Sequence, residues 1–381
     1  MKILHCCLSC FYIDNYNYQE NVLPRLNKAD GHEVLILAST ETFINNSDLG
    51  YVSPSSYETE FGVPIVRIPY YKVLNHYFST KIRKYIGVNN LIENFNPDII
   101  MFHGCCAYEL LTVSKYIKKH PWVKLYVDCH EDFHNSAQGF FSKYILHKLL
   151  YKNILKSSLP SIEKVLYLTY ESKLFLNQLY KLPDNNLEFY PLGGIIINEK
   201  ERIEKRSRIR TLLNIDENDI LLVHSGKMDK IKHTEDIVRA LSMIKGQNIK
   251  LIIIGTMTDD VKKNVFPYIE NDNRIEYIGW KNSNELIEYL CACDLYVQPG
   301  GQSATMQNAL CCGSAVVLYP HESHKFLLGE AVFYCRTVDD IKNIFELVLD
   351  NRDILNEKLT NSNKIAHELL DYKNLAKRLY S

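Results

Sequence analysis

Short runs of branched apolar residues alternate with amphipathic segments along the whole chain, and that alternation constrains the fold more than any single motif. Such a run is too short for a helix and apolar on both faces, so it reads as a strand buried in a parallel sheet. Residues 1–7, 33–38, 98–103, 123–128 and 164–168 supply a first set of strands, with a crossover helix over 19–28 that stops near Gly31. Residues 220–223, 250–254, 275–278, 295–297 and 315–318 supply a second set, led by a charged helix over 199–212. Polar residues, proline and glycine between 182 and 194 separate the two. With 381 residues the chain exceeds the roughly 250–300 at which one core stops growing. An α/β protein of two domains is therefore expected, 1–187 and 188–365, with a C-terminal helix over 366–381 packing back on the first.

Composition narrows the function. A net charge of −1 argues against nucleic acid as a partner held by overall positive charge. No apolar run reaches the roughly 18 residues of a spanning helix, and the first residues open straight into a strand, so a cytoplasmic location without an export signal is expected. Cys7 and Cys10 have C-x-x-C spacing, but no second pair stands at zinc spacing. The remaining cysteines sit mostly in or beside apolar runs, where the thiol acts as a small hydrophobe. No metal, disulfide or cofactor is expected.

Two loops carry the chemistry. One is His224-Ser225-Gly226-Lys227-Met228-Asp229-Lys230-Ile231-Lys232, and the other is Gln298-Pro299-Gly300-Gly301-Gln302-Ser303, running on to Gly313. Glycine lets the backbone approach an anion closely, a helix N-terminus offers it unpaired N–H groups, and Lys227 and Lys232 add charge. Both loops follow strands, where open parallel sheets bind ligands. A pyrophosphate-bearing ligand is the expected guest.

From 225 to 241 the chain resembles the donor-binding segment of retaining glycosyltransferases of family 4. Gly226-Lys227 stands for that family's Gly-Arg, Lys232 for its lysine, His233 for its second glycine, and Ala240-Leu241 ends the helix. The opening strand, Gly31-His32-Glu33-Val34, His103, His130 and Gly279-Trp280 follow in the family's order. The resemblance implies the GT-B fold, two Rossmann-like α/β/α domains facing across a cleft. It also implies transfer of a hexose from a nucleotide-diphosphate sugar, a UDP-sugar being favoured, with retention and without a metal.

Under that resemblance Lys227, Lys232 and His130 are the catalytic candidates. The lysines would take up charge on the leaving diphosphate, which favours the transition state over the ground state. Lys227 lacks the bidentate fork of the family's arginine. The donor would be held by Gly226, Gly255, Gly279, Trp280, Gly300, Gly301, Gln302, Ser303, Thr305 and Asn308. The family's two glutamates fall on Gly300 and Asn308, so neither carboxylate is present. Some members have such a Pro-Gly-x-Gln-Ser run. Asn308 could bond the ribose, and the two glycines could offer N–H groups. On the acceptor side stand Tyr18, Gln19, Glu20, Asn21, His103 and Asp132.

Two first-half segments mix lysines with apolar residues: 72–84, with Lys72, Lys81, Arg83 and Lys84 beside Tyr71, Leu74, Tyr77 and Phe78, and 143–156, with Lys143, Lys148, Lys152 and Lys156. Either could rest on an anionic bilayer at the cytoplasmic face, or be a core-facing helix with a solvated side. The expected partners are a nucleotide-sugar and a glycan or lipid-linked acceptor, in the assembly of a surface polysaccharide such as capsule or lipopolysaccharide. Two alternatives stay open: a non-hydrolysing UDP-sugar 2-epimerase, which needs paired carboxylates near the sugar, and a non-catalytic partner subunit of a transferase.

Overall fold

A computed structural model describes residues 1–45, 48–73 and 75–381. The chain divides into two compact units, Met1–Pro191 with Leu375–Ser381, and Leu192–Asn374. The divisions read from sequence lie after 187 and 365, those of the structure after Pro191 and Asn374.

In the N-terminal unit the strands are β1 (Lys2–Cys7), β2 (Glu33–Ser39), β3 (Glu41–Asn45), β4 (Asp48–Tyr51), β5 (Ser55–Glu58), β6 (Pro64–Ile68), β7 (Ile99–Phe102), β8 (Lys124–Cys129), β9 (Lys164–Tyr167) and β10 (Leu187–Phe189). Eight of them form one sheet in the order β10-β9-β8-β7-β1-β2-β6-β5, while β3 and β4 pair separately. Only the β5–β6 pairing within this sheet is antiparallel. Strand order reverses between β1 and β7, which makes their carboxyl ends the natural crevice of this sheet. The stretch 41–68 carries strands that the sequence reading left unassigned. β4 and β5 are largely exposed, so no apolar run marks them.

The C-terminal unit contributes β11 (Ile220–Met228), β12 (Ile249–Met257), β13 (Ile275–Tyr277), β14 (Leu295–Gln298), β15 (Ala315–Leu318) and β16 (Phe333–Tyr334). They lie in the order β13-β12-β11-β14-β15-β16, all parallel, with the reversal between β11 and β14. This is the strand order of a Rossmann sheet. Leu221, Leu222, Val223, Leu251 and Ile253 are fully buried. Burial of each such side chain contributes about 1.5–3 kcal/mol, which is what fixes the central strands.

The last residues return to the N-terminal unit. The Tyr190 hydroxyl donates to the Leu375 carbonyl at 2.6 Å, and Arg378 donates to the Phe189 carbonyl at 2.7 Å. Among the described residues no helix is long and apolar enough to cross a membrane.

Strands β11 and β12 run past their apolar cores, so the glycine expected in a loop sits in the sheet with Gly226 paired to Gly255. Gly255 has φ 133°, and a Cβ there would lie 1.9 Å from the Gly226 carbonyl oxygen. Gly255→Ala should therefore destabilise the protein by at least the roughly 1–3 kcal/mol of local backbone strain. Chemical denaturation measures it, and an unchanged midpoint would mean that the two strand ends are not closely paired.

Candidate functional site

The reversal point of the C-terminal sheet gathers the loops after β11 and β14. Beyond β11, Lys230–Lys232 forms one 3-10 turn, and His233 takes the left-handed conformation at φ 55°. That is the place of the family's second glycine, and the helix Thr234–Ser242 starts directly after it. Lys232 is half-buried, with Nζ 3.3 Å from the carbonyl oxygens of both Gly301 and Gln302. Burial pushes its pKa down, and Asp229 partly offsets this. Lys227 is exposed. Beneath the loop His224 is fully buried between the Val297 carbonyl at 2.7 Å from Nδ1 and Thr234 Oγ1 at 2.9 Å from Nε2. Burial holds its pKa down at about 4.

Gly300 packs on backbone here and the Gly301 N–H already has a partner, which corrects the expectation of a free N–H at Gly301. A Cβ on Gly300 would lie 1.9 Å from the Ile231 carbonyl oxygen, and the Gly301 N–H already donates to that oxygen at 2.9 Å. Ser303 accepts from the Thr305 N–H at 3.3 Å at the start of the helix Thr305–Cys311, and Gln302 is exposed. The amide oxygen of Asn308 faces Gly194, 3.0 Å from where a Cβ on that glycine would sit. Gly279 accepts from the Gly255 N–H at 2.8 Å, and Trp280 beside it is 68% exposed.

In the N-terminal unit a buried polar chain crosses the carboxyl ends of β1, β7 and β8. Asn27 Oδ1 only accepts, so His5 Nε2, 2.8 Å away, carries a proton. His5 Nδ1 then accepts from His103 Nε2 at 3.1 Å, and His103 Nδ1 donates to Asp128 at 2.8 Å. His103 thus donates from both nitrogens and is an imidazolium. Burial opposes its charge, but Asp128 outweighs burial and raises its pKa to about 9. His130 shows the same balance. Its Nε2 lies at an ion-pair distance of 3.3 Å from Asp128, and its pKa also reaches about 9 although partial burial opposes the charge. Asp128 is held well below the carboxylate range by the two histidines, although burial pushes the other way.

This network corrects several acceptor-side expectations. His103 is wholly buried, so it presents no atom to an acceptor and acts only through its neighbours. Gln19 and Glu20 are also buried, Gln19 Nε2 donating to Asp128 at 3.1 Å, because the helix Gln19–Ala29 turns its first residues inward. Asn21 donates to the Ile13 carbonyl at 2.9 Å, and Tyr18 remains exposed. Asp132 Oδ1 accepts from the N–H groups of His134 and Asn135 and so closes its own turn. Sequence reasoning missed Asp128, His5 and Asn27. A charged residue inside an apolar strand was the available signal.

The basic segments also sort out. Arg83 points inward, donating to the Ser9 carbonyl at 2.7 Å and the Cys106 carbonyl at 3.2 Å, so it is not a surface cation. Leu74 lies outside the described residues. On Phe141–Tyr151, by contrast, apolar side chains face outward: Tyr144, Ile145 and Leu149 are exposed, and the preceding Phe140 is 75% exposed.

The architecture of the two units is that of the GT-B glycosyltransferases. Residues 205–366, which lie within the C-terminal unit, match the family described as "Glycosyl transferases group 1". An uncharacterized glycosyltransferase of Methanocaldococcus jannaschii is 27% identical over 207 residues, 52% of this chain and 48% of its own length. The chain thus spans about half the length of that curated relative. Among solved structures, HepE of Anabaena in complex with UDP aligns with TM-score 0.66 at 14% identity over 99% of this chain and 98% of HepE. A sucrose-phosphate synthase of Thermosynechococcus elongatus gives 0.69 at 13% over 99% and 97%. WaaG, a glycosyltransferase involved in lipopolysaccharide biosynthesis, gives 0.62 at 14% over 100% of each chain. At such identity the likeness is one of fold.

His224 supplies a pH test. It is buried neutral, with a folded pKa of about 4 against 6.5 for an ordinary histidine. Unfolding therefore takes up a proton, so its contribution is present above pH 6.5 and is lost as pH falls toward 4. Between those values His224→Asn should flatten the fall of unfolding free energy by up to about 1.4 kcal/mol per pH unit. Identical slopes in variant and wild type would show that His224 is already protonated in the fold.

Proposed function

We propose that the protein is a nucleotide-sugar-dependent, retaining hexosyltransferase. It moves a hexose, from a UDP-sugar by preference, to a hydroxyl of a glycan or lipid-linked oligosaccharide during surface-polysaccharide assembly. The observation that carries the donor half is Lys232, half-buried at the reversal point of the Rossmann sheet between the loops after β11 and β14. A cation there, beside a helix N-terminus, suits a diphosphate. HepE, with the same fold, has been solved with UDP-glucose.

In this reading Lys227 and Lys232 neutralise the diphosphate in place of a metal. As the bond from the anomeric carbon to the β-phosphate oxygen breaks, that oxygen gains charge, and cations fixed beside it stabilise the transition state most. The acceptor oxygen bonds to the same face of the sugar, and its proton passes to the departing phosphate. Gly255, Gly279 and Trp280 border the base, Gly226 the phosphates and Asn308 the ribose, while Gln302, Ser303 and Thr305 line the sugar side. On the N-terminal unit His130 is the group for the acceptor, kept cationic by Asp128, with exposed Tyr18 as an outer contact. The epimerase reading lacks a carboxylate at Gly300 and Asn308 and is the weaker one.

Exposed Phe140, Tyr144, Ile145 and Leu149 stand among Lys143 and Lys148, and Lys148 Nζ lies 4.5 Å from the Tyr144 ring centre. Aromatic and aliphatic side chains interleaved with lysines suit an anionic lipid surface, which a lipid-linked acceptor requires.

Purified protein incubated with a panel of nucleotide-sugars, with and without membranes, should release nucleotide and glycosylate an acceptor. Lys232→Ala should cut turnover at least 100-fold, about 2.7 kcal/mol, without altering the fold. A loss under threefold would remove the lysine from the leaving group. In a vesicle sedimentation assay, Lys143→Glu with Lys148→Glu should weaken binding to anionic vesicles roughly tenfold or more. Equal binding by variant and wild type would rule the patch out as the contact.

A further inference from the structure

Beside His130, and outside the residues used above, a second cluster converges at the carboxyl ends of β7 and β8. Cys105 follows β7, Cys129 ends β8, and Glu131 stands two residues later. Cys105 Sγ and Cys129 Sγ are 3.8 Å apart, and Glu131 Oε2 lies 3.3 Å from the first and 3.4 Å from the second. Zinc–sulfur and zinc–oxygen bonds of ordinary length at tetrahedral angles place two sulfurs about 3.8 Å apart and sulfur and oxygen about 3.5 Å apart. The three atoms therefore mark one face of a tetrahedral site. All three fall within 4.8 Å of one another.

We propose that Cys105, Cys129 and Glu131 bind one thiophilic divalent cation of the zinc class. Both cysteines are fully buried, so the site is shielded from solvent on the core side, while Glu131 lines a pocket that also borders Cys106, His130 and His147. That pocket gives the ion an entry path and leaves a fourth position for a ligand from its wall or from solvent. The two thiolates and the carboxylate would exceed the ion's charge by one, and the inward-turned Arg83 guanidinium borders the same pocket. Binding would tie the loops after β7 and β8 together next to His130. The neighbouring His103, Asp128 and His130 also converge, but imidazole–carboxylate pairing already accounts for their contacts. This departs from the sequence expectation that no metal is bound, because Cys105, after β7, and Cys129, at the end of β8, meet only in the fold.

The test is titration of reduced, metal-stripped full-length protein with Co2+, followed by displacement with Zn2+. The expected result is a thiolate-to-cobalt charge-transfer band with four-coordinate ligand-field bands, saturating at one ion per chain and bleached by Zn2+. Cys129→Ser should abolish the band, and Cys311→Ser, a buried cysteine of the other unit, should leave it unchanged. Glu131→Gln, at a partly exposed position, should keep the fold by circular dichroism. It should weaken binding by at least the roughly 10–100-fold that loss of an outer-shell partner costs. Zn2+ should also raise the melting temperature of wild type more than that of Glu131→Gln. Absence of a thiolate band in folded wild type overturns the proposal. So does a band of undiminished affinity in Glu131→Gln, which decides the matter should Cys129→Ser fail to fold.

Discussion

The C-terminal unit depends on backbone lying directly against backbone. Gly300 touches the Ile231 carbonyl, and Gly255 touches that of Gly226, at distances that admit no side chain. The first contact folds the 3-10 turn of Lys230–Lys232 down onto the loop after β14, and so sets Lys232 within 3.3 Å of two carbonyl oxygens. The second lets β11 and β12 pair as far as Met228 and Met257, which carries Lys227 to the strand end on a supported backbone. A lysine placed this way loses less side-chain entropy on meeting an anion than one on a free loop. Its depressed pKa has the same origin, since the walls that hold the ammonium also keep water from it.

The N-terminal unit is organised around a buried carboxylate. Asp128 accepts from His103, from Gln19 and from the Gly104 N–H, and pairs with His130. An uncompensated carboxylate at full burial is costly, so the partners are required for the fold itself. They also define His130 chemically. A histidine with its pKa at about 9 is charged near neutrality and donates from both ring nitrogens, so it suits an electron-rich oxygen better than it suits a proton to be abstracted.

Much of the fold was legible because buried parallel strands advertise themselves. The runs around Val223, Ile253, Val297 and Val316 became β11, β12, β14 and β15, and the helix over 199–212 has those bounds in the structure. The strands between 41 and 68 escaped because exposed residues dominate β4 and β5, and β16 is only two residues long. At the site, the sequence reading named His130 and Lys232 as candidates but treated hydrogen-bonding capacity as if it were free. Gln19, His103, Asp132 and the Gly301 N–H each have a partner within the protein, and a partner distant in sequence is invisible to spacing. Cys105 and Cys129 illustrate the same limit, since β7 and β8 pair across a crossover of more than twenty residues.

The two carboxylates expected from the family resemblance are missing for a structural reason at one position and a chemical one at the other. At Gly300 a glutamate would drive its Cβ into the Ile231 carbonyl, so it would require the turn that carries Lys232 to lift away. The absence of a side chain at 300 and the seating of Lys232 are therefore one feature. At Asn308 a glutamate would place its charge beside Gly194 and the buried Cys311, where Asn308 now puts a neutral amide oxygen. The missing carboxylate at 300 takes a negative charge from beside the turn that carries Lys232. On the proposed reading this strengthens the field felt by a diphosphate, and leaves the sugar hydroxyls to be read by carbonyls and by the neutral side chains of Gln302, Ser303 and Thr305.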